Sequence, residues 1–364
     1  VTTRSTELLR AVHAHPGITR AEAARSIGVG TGAATELVGR LSEAALVVEA
    51  PARPSGARGR PTTALLPHPA GPLIAAVDIT HESWRIDLVE LGGRTLHTAQ
   101  ARHDGRDVLS VVAAEIENRR SRYGPRLRGT GVAVPGTVTR TQRLDSAYLD
   151  WHDLDLHAIW PDAEVFVAGN DATLAGAAES ARGAAVGASV ALHLRIGGGL
   201  GGAVVDHGRV LTGASGFGGE FGHMPFGDPR VPCKCGAHGC WGTSVDGGAL
   251  ARLIGDPEPP DPVSYARRVI ATGHEAVTVI AGSLGRGMAG LVNGLDADVV
   301  TLGGLGAELL DAARDDIMRA YRDGLMNVRR AAAPAVRRAT LGDDGPIAGA
   351  AEEAWTTLLS RLTT

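Results

Sequence analysis

The chain has one lysine, Lys234, so arginine carries nearly all of its positive charge. Alanine is plentiful, and together these read as the coding bias of a GC-rich genome rather than as function. Aromatic residues are scarce, at 4%, while glycine is abundant, with 50 residues. Cysteine is limited to Cys233, Cys235 and Cys240, all within eight residues. An odd, tightly clustered set makes a poor disulfide framework and a good metal site. No stretch approaches the ~18 uninterrupted apolar residues that suggest a membrane span. The N-terminal region lacks the basic-then-apolar order of a signal peptide. The expectation is a cytoplasmic protein with no membrane partner.

What is present is ordinary for a globular chain: 44% hydrophobic and 21% charged residues. At 364 residues it is too long for one core and suits two or three domains. The net charge of −4 hides an asymmetry. Residues 1–70 hold eight Arg and five Glu with no Asp or Lys, giving +3, so the remainder carries −7. A basic first segment on an acidic body implies that only the first segment meets nucleic acid.

The first seventy residues read as three short helices and a hairpin. Ser5 is placed to cap a helix carrying Leu8, Leu9 and Val12, which Pro16-Gly17 ends. Thr19 opens a second helix, with Glu22 completing a capping box. Gly28-Val29-Gly30 turns the chain into a third helix from about Thr31, with Leu37, Val38 and Leu41 on its buried face. Residues 46–48 and 63–66 pair as wing strands. Helix, turn, helix is the arrangement that lays its second helix in the DNA major groove. Thr31, Thr35, Glu36 and Arg40 lie on the third helix's polar side, and Arg58 and Arg60 sit in the basic loop between the wing strands. The competing reading is a protein-contact module whose arginines are merely solvated. Gly30, Gly32, Ala33 and Ala34 offer few base-reading groups.

From Pro72 the pattern changes to buried strands ending in Asp or Gly. These are Leu73 to Asp78, Gly131 to Gly136, Val165 to Asp171, Val190 to Ile196 followed by a run of glycines, and Val299 to Gly304. Strands that end this way at a helix start are where α/β folds bind ligands. Glu220-Phe221-Gly222-His223, followed by Cys233-Lys234-Cys235-Gly236-Ala237-His238-Gly239-Cys240, resembles the signature of the ROK family of repressors, open reading frames and sugar kinases. Gly169-Asn170-Asp171-Ala172 resembles that family's catalytic segment, and Val134-Pro135-Gly136 its sugar-side loop. The resemblance runs in order along the chain and includes the helix-turn-helix of the repressor branch. It implies a winged helix-turn-helix over residues 1–70 joined to a two-lobed, actin-like (ribonuclease H-like) α/β sugar-kinase fold. The first lobe would cover residues 71–186, with the last helix, 345–364, returning to it. The second would cover 187–344, with a zinc knuckle over 223–240.

Three thiolates and one imidazole make a closed tetrahedral zinc site of the structural kind. The candidate ligands are His223, Cys233, Cys235 and Cys240, with His238 a rival inside the knuckle and unmetallated buried cysteines the bland alternative. By resemblance His223 also faces the sugar through its second ring nitrogen. Asp171 matches the family's general base, Asn170 an orienting group, Glu220 a further sugar contact and Gly136 a close-approach glycine; capping of the following helix is the structural alternative for Asp171.

Four departures stand out. The family's sugar-binding Glu two residues after the last cysteine is here Gly242, and a sugar-binding Asn aligns with Tyr148. The family's Asp-x-Gly-Gly-Thr phosphate loop is here Asp78-Ile79-Thr80-His81-Glu82. In the second glycine loop the usual Thr is Gly198. The expectation is therefore a repressor of sugar-related genes that binds an operator duplex and a sugar or sugar derivative as a homodimer or homotetramer. Asp171 would be a vestigial base and zinc a structural cofactor. The alternatives are an active sugar kinase with a DNA-binding head, and a ligand-independent regulator with a vestigial cleft.

Overall fold

The structure, a computed structural model, describes residues 3–51, 63–105, 107–146 and 149–362. Arg58, Arg60 and Tyr148 lie outside the described residues. In chain order the N-terminal elements are α1 (Arg4–Ala14), α2 (Arg20–Ser26), α3 (Thr31–Glu43), β1 (Val47–Pro51) and β2 (Thr63–Pro67). Then follow β3 (Leu73–Ile79), β4 (Ser83–Glu90), β5 (Thr95–Arg102), α4 (Val108–Tyr123) and β6 (Leu127–Val134). Three short strands, β7 (Thr137–Val138), β8 (Arg143–Ser146) and β9 (Trp151–Asp155), lead to β10 (Val165–Asn170) and α5 (Asp171–Arg182). The rest comprises β11 (Val190–Ile196), β12 (Leu200–Asp206), β13 (Arg209–Val210), α6 (Gly247–Ile254), α7 (Pro262–Thr272) and α8 (Ala276–Leu295). It ends with β14 (Val299–Gly304), α9 (Leu305–Ala312), α10 (Arg314–Gly324), α11 (Asn327–Arg330), β15 (Ala335–Arg338) and α12 (Gly345–Arg361).

Two compact units result. One holds Val1–Val134, Asp155–Ala168 and Ala350–Thr364; the other holds Pro135–Leu154 and Gly169–Gly349. The first unit opens with the helical head. Its apolar stripe, Leu8, Leu9, Val12, Ala23, Leu37, Val38 and Leu41, is buried, with α1 and α2 packed on β2 and α3 on β1. The Thr19 capping box forms as its S/T-x-x-E spacing requires. The first helix begins earlier than expected: its cap is Thr3, whose hydroxyl accepts the Thr6 N–H at 3.2 Å, rather than Ser5. The two added residues let Arg4 reach Glu7 at 2.6 Å and the Ile27 carbonyl at 2.8 Å. β1 and β2 pair antiparallel, and Leu65 also exchanges backbone bonds with Gly17 and Ile18. The head is thus a helix-turn-helix with a wing.

The main sheet containing β3 has the order β10-β6-β3-β4-β5, and that of the second unit β13-β12-β11-β14-β15. Read from its first strand, each sheet has the same plan. Three strands form an antiparallel meander (β3-β4-β5, β11-β12-β13), the next adds parallel to the first, and one more lies outside it. The central strands read as continuous apolar runs because both faces are covered. The architecture is a two-lobed actin-like α/β fold with an N-terminal winged helix-turn-helix. In the second unit, Trp241 and Tyr321 are wholly buried among Leu192, Leu194, Leu284, Met288 and Ile317. In the first, a Cβ at Gly131 of β6 would lie 2.0 Å from the Ala350 carbonyl, so glycine there lets α12 lie directly on the sheet.

Candidate ligand and metal site

The second unit gathers five of the expected ligand residues around the start of α5. β10 delivers Asn170 and Asp171 to the helix N-terminus. Asn170, not Asp171, is the cap: its Oδ1 accepts the N–H groups of Ala172 at 2.9 Å and Thr173 at 3.2 Å. Its Nδ2 donates to the Gly136 carbonyl at 3.0 Å. The sugar-side turn is thereby tied to the helix start. Gly136 itself has φ +144°, and a Cβ there would come within 2.4 Å of the Asp145 carbonyl. With the cap supplied by Asn170, the Asp171 carboxylate is spared for other partners.

One such partner went unread in the sequence. The Arg195 guanidinium, on β11 just before the glycine loop, stands 4.0 Å from Asp171 and 3.6 Å from Asp343, and donates to the Gly342 carbonyl at 3.4 Å. The turn it grips is anchored from α5. Buried Glu179 accepts the Leu341 N–H at 2.8 Å and the Thr340 hydroxyl at 3.2 Å. The available signal was a charged residue, Arg195, inside a largely apolar strand. Desolvation pushes the Asp171 carboxyl above the usual carboxylate range, opposed by the charge of Arg195. Glu220 is raised by burial too, opposed by His223 and reinforced by Asp171. Further along β11, burial drives His193 down to about 3, so it is a neutral core imidazole, with Nδ1 2.9 Å from the Thr301 hydroxyl.

His223 joins this group to the cysteine cluster. Its Nε2 lies 3.6 Å from Glu220, and its Nδ1 lies 3.7 Å from the Cys233 sulfur. The Cys235 and Cys240 sulfurs are 3.7 Å apart, and the four donor atoms all lie within 4.8 Å of one another. A tetrahedral ion with bonds of ~2.3 Å to sulfur sets its ligands about 3.8 Å apart. Spacing and donor chemistry therefore fit a tetrahedral thiophilic cation. Burial and the neighbouring sulfurs of Cys235 and Cys233 push the Cys240 thiol up to about 12, so a dication is the partner that lets all three ionise together. His238 is not part of the cluster.

At Gly242 the nearest atoms to an added Cβ are the Gly222 carbonyl and the Leu200 nitrogen, both at 3.4 Å. A Cβ there would meet these atoms at ordinary van der Waals distance.

In the first unit, the turn after β3 is closed by a side chain. The Thr80 hydroxyl accepts the N–H groups of Glu82 at 3.3 Å and Ser83 at 3.0 Å. The Glu82 carboxylate pairs with Arg102 at 2.5 Å. In the head, Thr31, Thr35, Glu36 and Arg40 are exposed along α3 while Ala34, Leu37, Val38 and Leu41 are buried. The Thr35 hydroxyl donates back to the Thr31 carbonyl at 2.9 Å.

A model of the ROK family matches residues 74–356. The kanosamine kinase of Amycolatopsis mediterranei is 33% identical over 217 residues, 56% of this chain and 70% of that protein. The xylose repressor of Bacillus spizizenii is 27% identical over 271 residues, 71% of this chain and 69% of that protein. Among solved structures, a ROK family transcriptional regulator, homologue of the Escherichia coli MLC protein, superposes with a TM-score of 0.77 at 22% identity. It covers 98% of this chain and 96% of its own. A ROK hexokinase from Thermus thermophilus superposes with a TM-score of 0.65 at 28% identity, over 79% of this chain and 99% of its own.

Proposed function

Because the chain belongs to the ROK family, with both repressors and sugar kinases among its relatives, we propose that it is a DNA-binding transcriptional regulator, a repressor, whose kinase-derived body senses a sugar or sugar derivative. The observation that carries this reading is the winged head, residues 3–51 and 63–67, standing before the family segment with an exposed polar face on its third helix. In this reading residues 1–70 are the DNA-binding domain. Thr31, Thr35 and Arg40 approach the major groove, and Arg58 and Arg60 meet phosphates or the minor groove. Residues 71–186 and 187–344 are the two kinase-derived lobes, with helix 345–364 belonging to the first.

Gly136, Asn170, Asp171, Glu220 and His223 hold the ligand, with Asp171 an acceptor for a hydroxyl rather than a base. A kinase needs preorganised N–H donors on the transferring phosphoryl group. The amides of Glu82 and Ser83 are instead turned onto Thr80. This supports a body that has lost phosphotransfer. The knuckle His223, Cys233, Cys235 and Cys240 holds a structural zinc ion, which supplies a fixed backbone rather than chemistry. His223 Nδ1 lies on the Cys233 side and would ligate the ion, while Nε2 lies on the Glu220 side and would be left for the ligand.

Operator half-sites lie roughly 34–36 Å apart for one turn of DNA, so two heads of a homodimer or homotetramer must keep a set spacing. A ligand shifts DNA affinity only by its differential affinity for the two spacings. The test has three arms. A random-sequence duplex pool is selected on the purified chain, a sugar panel is screened by thermal shift, and ATP turnover is assayed with each sugar. Selection of a defined duplex, released by one sugar and without turnover, is the expected result. Brisk turnover abolished by Asp171→Asn, with no duplex retained at low salt, would make the chain a kinase.

A further inference from the structure

His13 stands in the last turn of α1, with only 6% of its surface exposed, and both ring nitrogens are engaged. The Gly92 N–H, in the turn between β4 and β5, donates to Nδ1 at 2.9 Å. A ring nitrogen that accepts from a backbone N–H carries a lone pair, so the ring proton sits on Nε2. Nε2 lies 3.0 Å from Oε2 of Glu352 on α12, to which it donates. The Trp355 ring, nearly one turn further along α12, packs against the imidazole at 5.5 Å. Gly92 has φ +89°, and a Cβ there would lie 2.7 Å from the Pro16 ring. The β4–β5 turn therefore fits closely under the link between α1 and α2. One neutral side chain thus joins its own helix to two segments that lie 79 and 339 residues further along the chain.

We propose that His13 is a positioning residue: an imidazole protonated on Nε2, keyed between the Gly92 turn and Glu352, that fixes the helical head on the body. The orientation in which α3 is presented then follows the position of α12. What the head is oriented toward rests on the DNA-binding reading above; the key itself rests on geometry alone. Glu352 acts as an acceptor and not as the counter-ion of a cation, because a ring already accepting from Gly92 holds no second proton. A neutral acceptor of the same shape therefore serves as well, and an apolar residue does not.

The experiment uses the full chain. His13→Leu and Glu352→Leu are expected to speed amide exchange of residues 4–14 and 86–96 at least tenfold, while Glu352→Gln stays near wild type. For the duplex that wild type selects from a random pool, the same Leu variants lose at least tenfold in affinity. The slope of that affinity with salt stays unchanged, because the phosphate contacts are the head's own. The ring nitrogen resonances of His13 in the wild-type chain, assigned by difference from His13→Gln, are expected to report the neutral Nε2–H tautomer; this arm needs no Leu variant to fold. The proposal fails if that ring is an imidazolium at neutral pH, if Glu352→Gln is as damaging as Glu352→Leu, or if the Leu variants leave exchange at 86–96 unchanged. Should wild type select no duplex, the DNA-binding reading falls, while the exchange and tautomer arms still decide the key.

Discussion

Gly136 shows how one residue can be fixed by backbone demand. Its φ of +144° and the Asp145 carbonyl 2.4 Å from any Cβ leave no place for alanine. Gly136→Ala should destabilise the chain by about 2–3 kcal/mol in urea melts and loosen the Asn170 bond to the same turn. Asn170 and Asp171 illustrate the opposite case, where neighbours of similar chemistry divide two tasks. Both residue types cap helices well, so sequence could not assign the cap. The fold gave it to Asn170 and left Asp171 beside Arg195. Asp171→Asn is accordingly expected to keep the melting temperature within ~2 °C and to abolish any sugar-induced thermal shift, since the helix keeps its cap. A large loss of melting temperature would show that Asp171 is structural.

At the scale of elements, the knuckle and the last helix make separable predictions. The knuckle is short, and if it holds the proposed zinc ion its order depends on that ion. The purified chain should hold about one zinc per chain, and Cys235→Ser should lose both the metal and part of the stability of the second unit. A well-folded, metal-free wild type would refute the site. In α12, burial and the neighbouring charge of Glu352 raise the Glu353 carboxyl to about 7. A raised acid favours the folded state in its protonated form. Its contribution is full below the unfolded value of about 4.5 and fades as pH rises through about 7. Glu353→Gln should therefore gain roughly 1–3 kcal/mol over wild type at pH 8 and nothing at pH 4, by chemical melts at both pH values. Equal stability difference at the two pH values would remove burial as the cause.

For the whole molecule, the charge division is the governing fact. Residues 1–70 carry +3 on a chain of −4. Duplex affinity should fall steeply with salt, and a double change of Arg58→Ala with Arg60→Ala should flatten the log–log slope by about 1–2. An unchanged slope would place the phosphate contacts elsewhere. Among the described residues no helix is long and apolar enough to cross a membrane. The shared plan of the two main sheets, a meander extended by two strands on the side of its first, is the feature that the strand-by-strand reading could not supply.

Local signals indicated the helices of the head, the wing pairing, the buried strands and the three cysteines with His223 or His238 as metal-ligand candidates; the geometry groups His223 with the cysteines. Each depends on periodicity, a capping spacing or residues within about twenty positions of one another. The family resemblance added the ligand candidates Gly136, Asn170, Asp171, Glu220 and His223. What needed tertiary structure were contacts between residues far apart in the chain. Arg195 meets the 342–343 turn because parallel pairing through β14 and β15 brings that turn beside β11. His13 meets Glu352 because α12 returns to β6 at Gly131. Such meetings are decided by strand order and by which glycines permit close approach, quantities that no window along a single sequence contains.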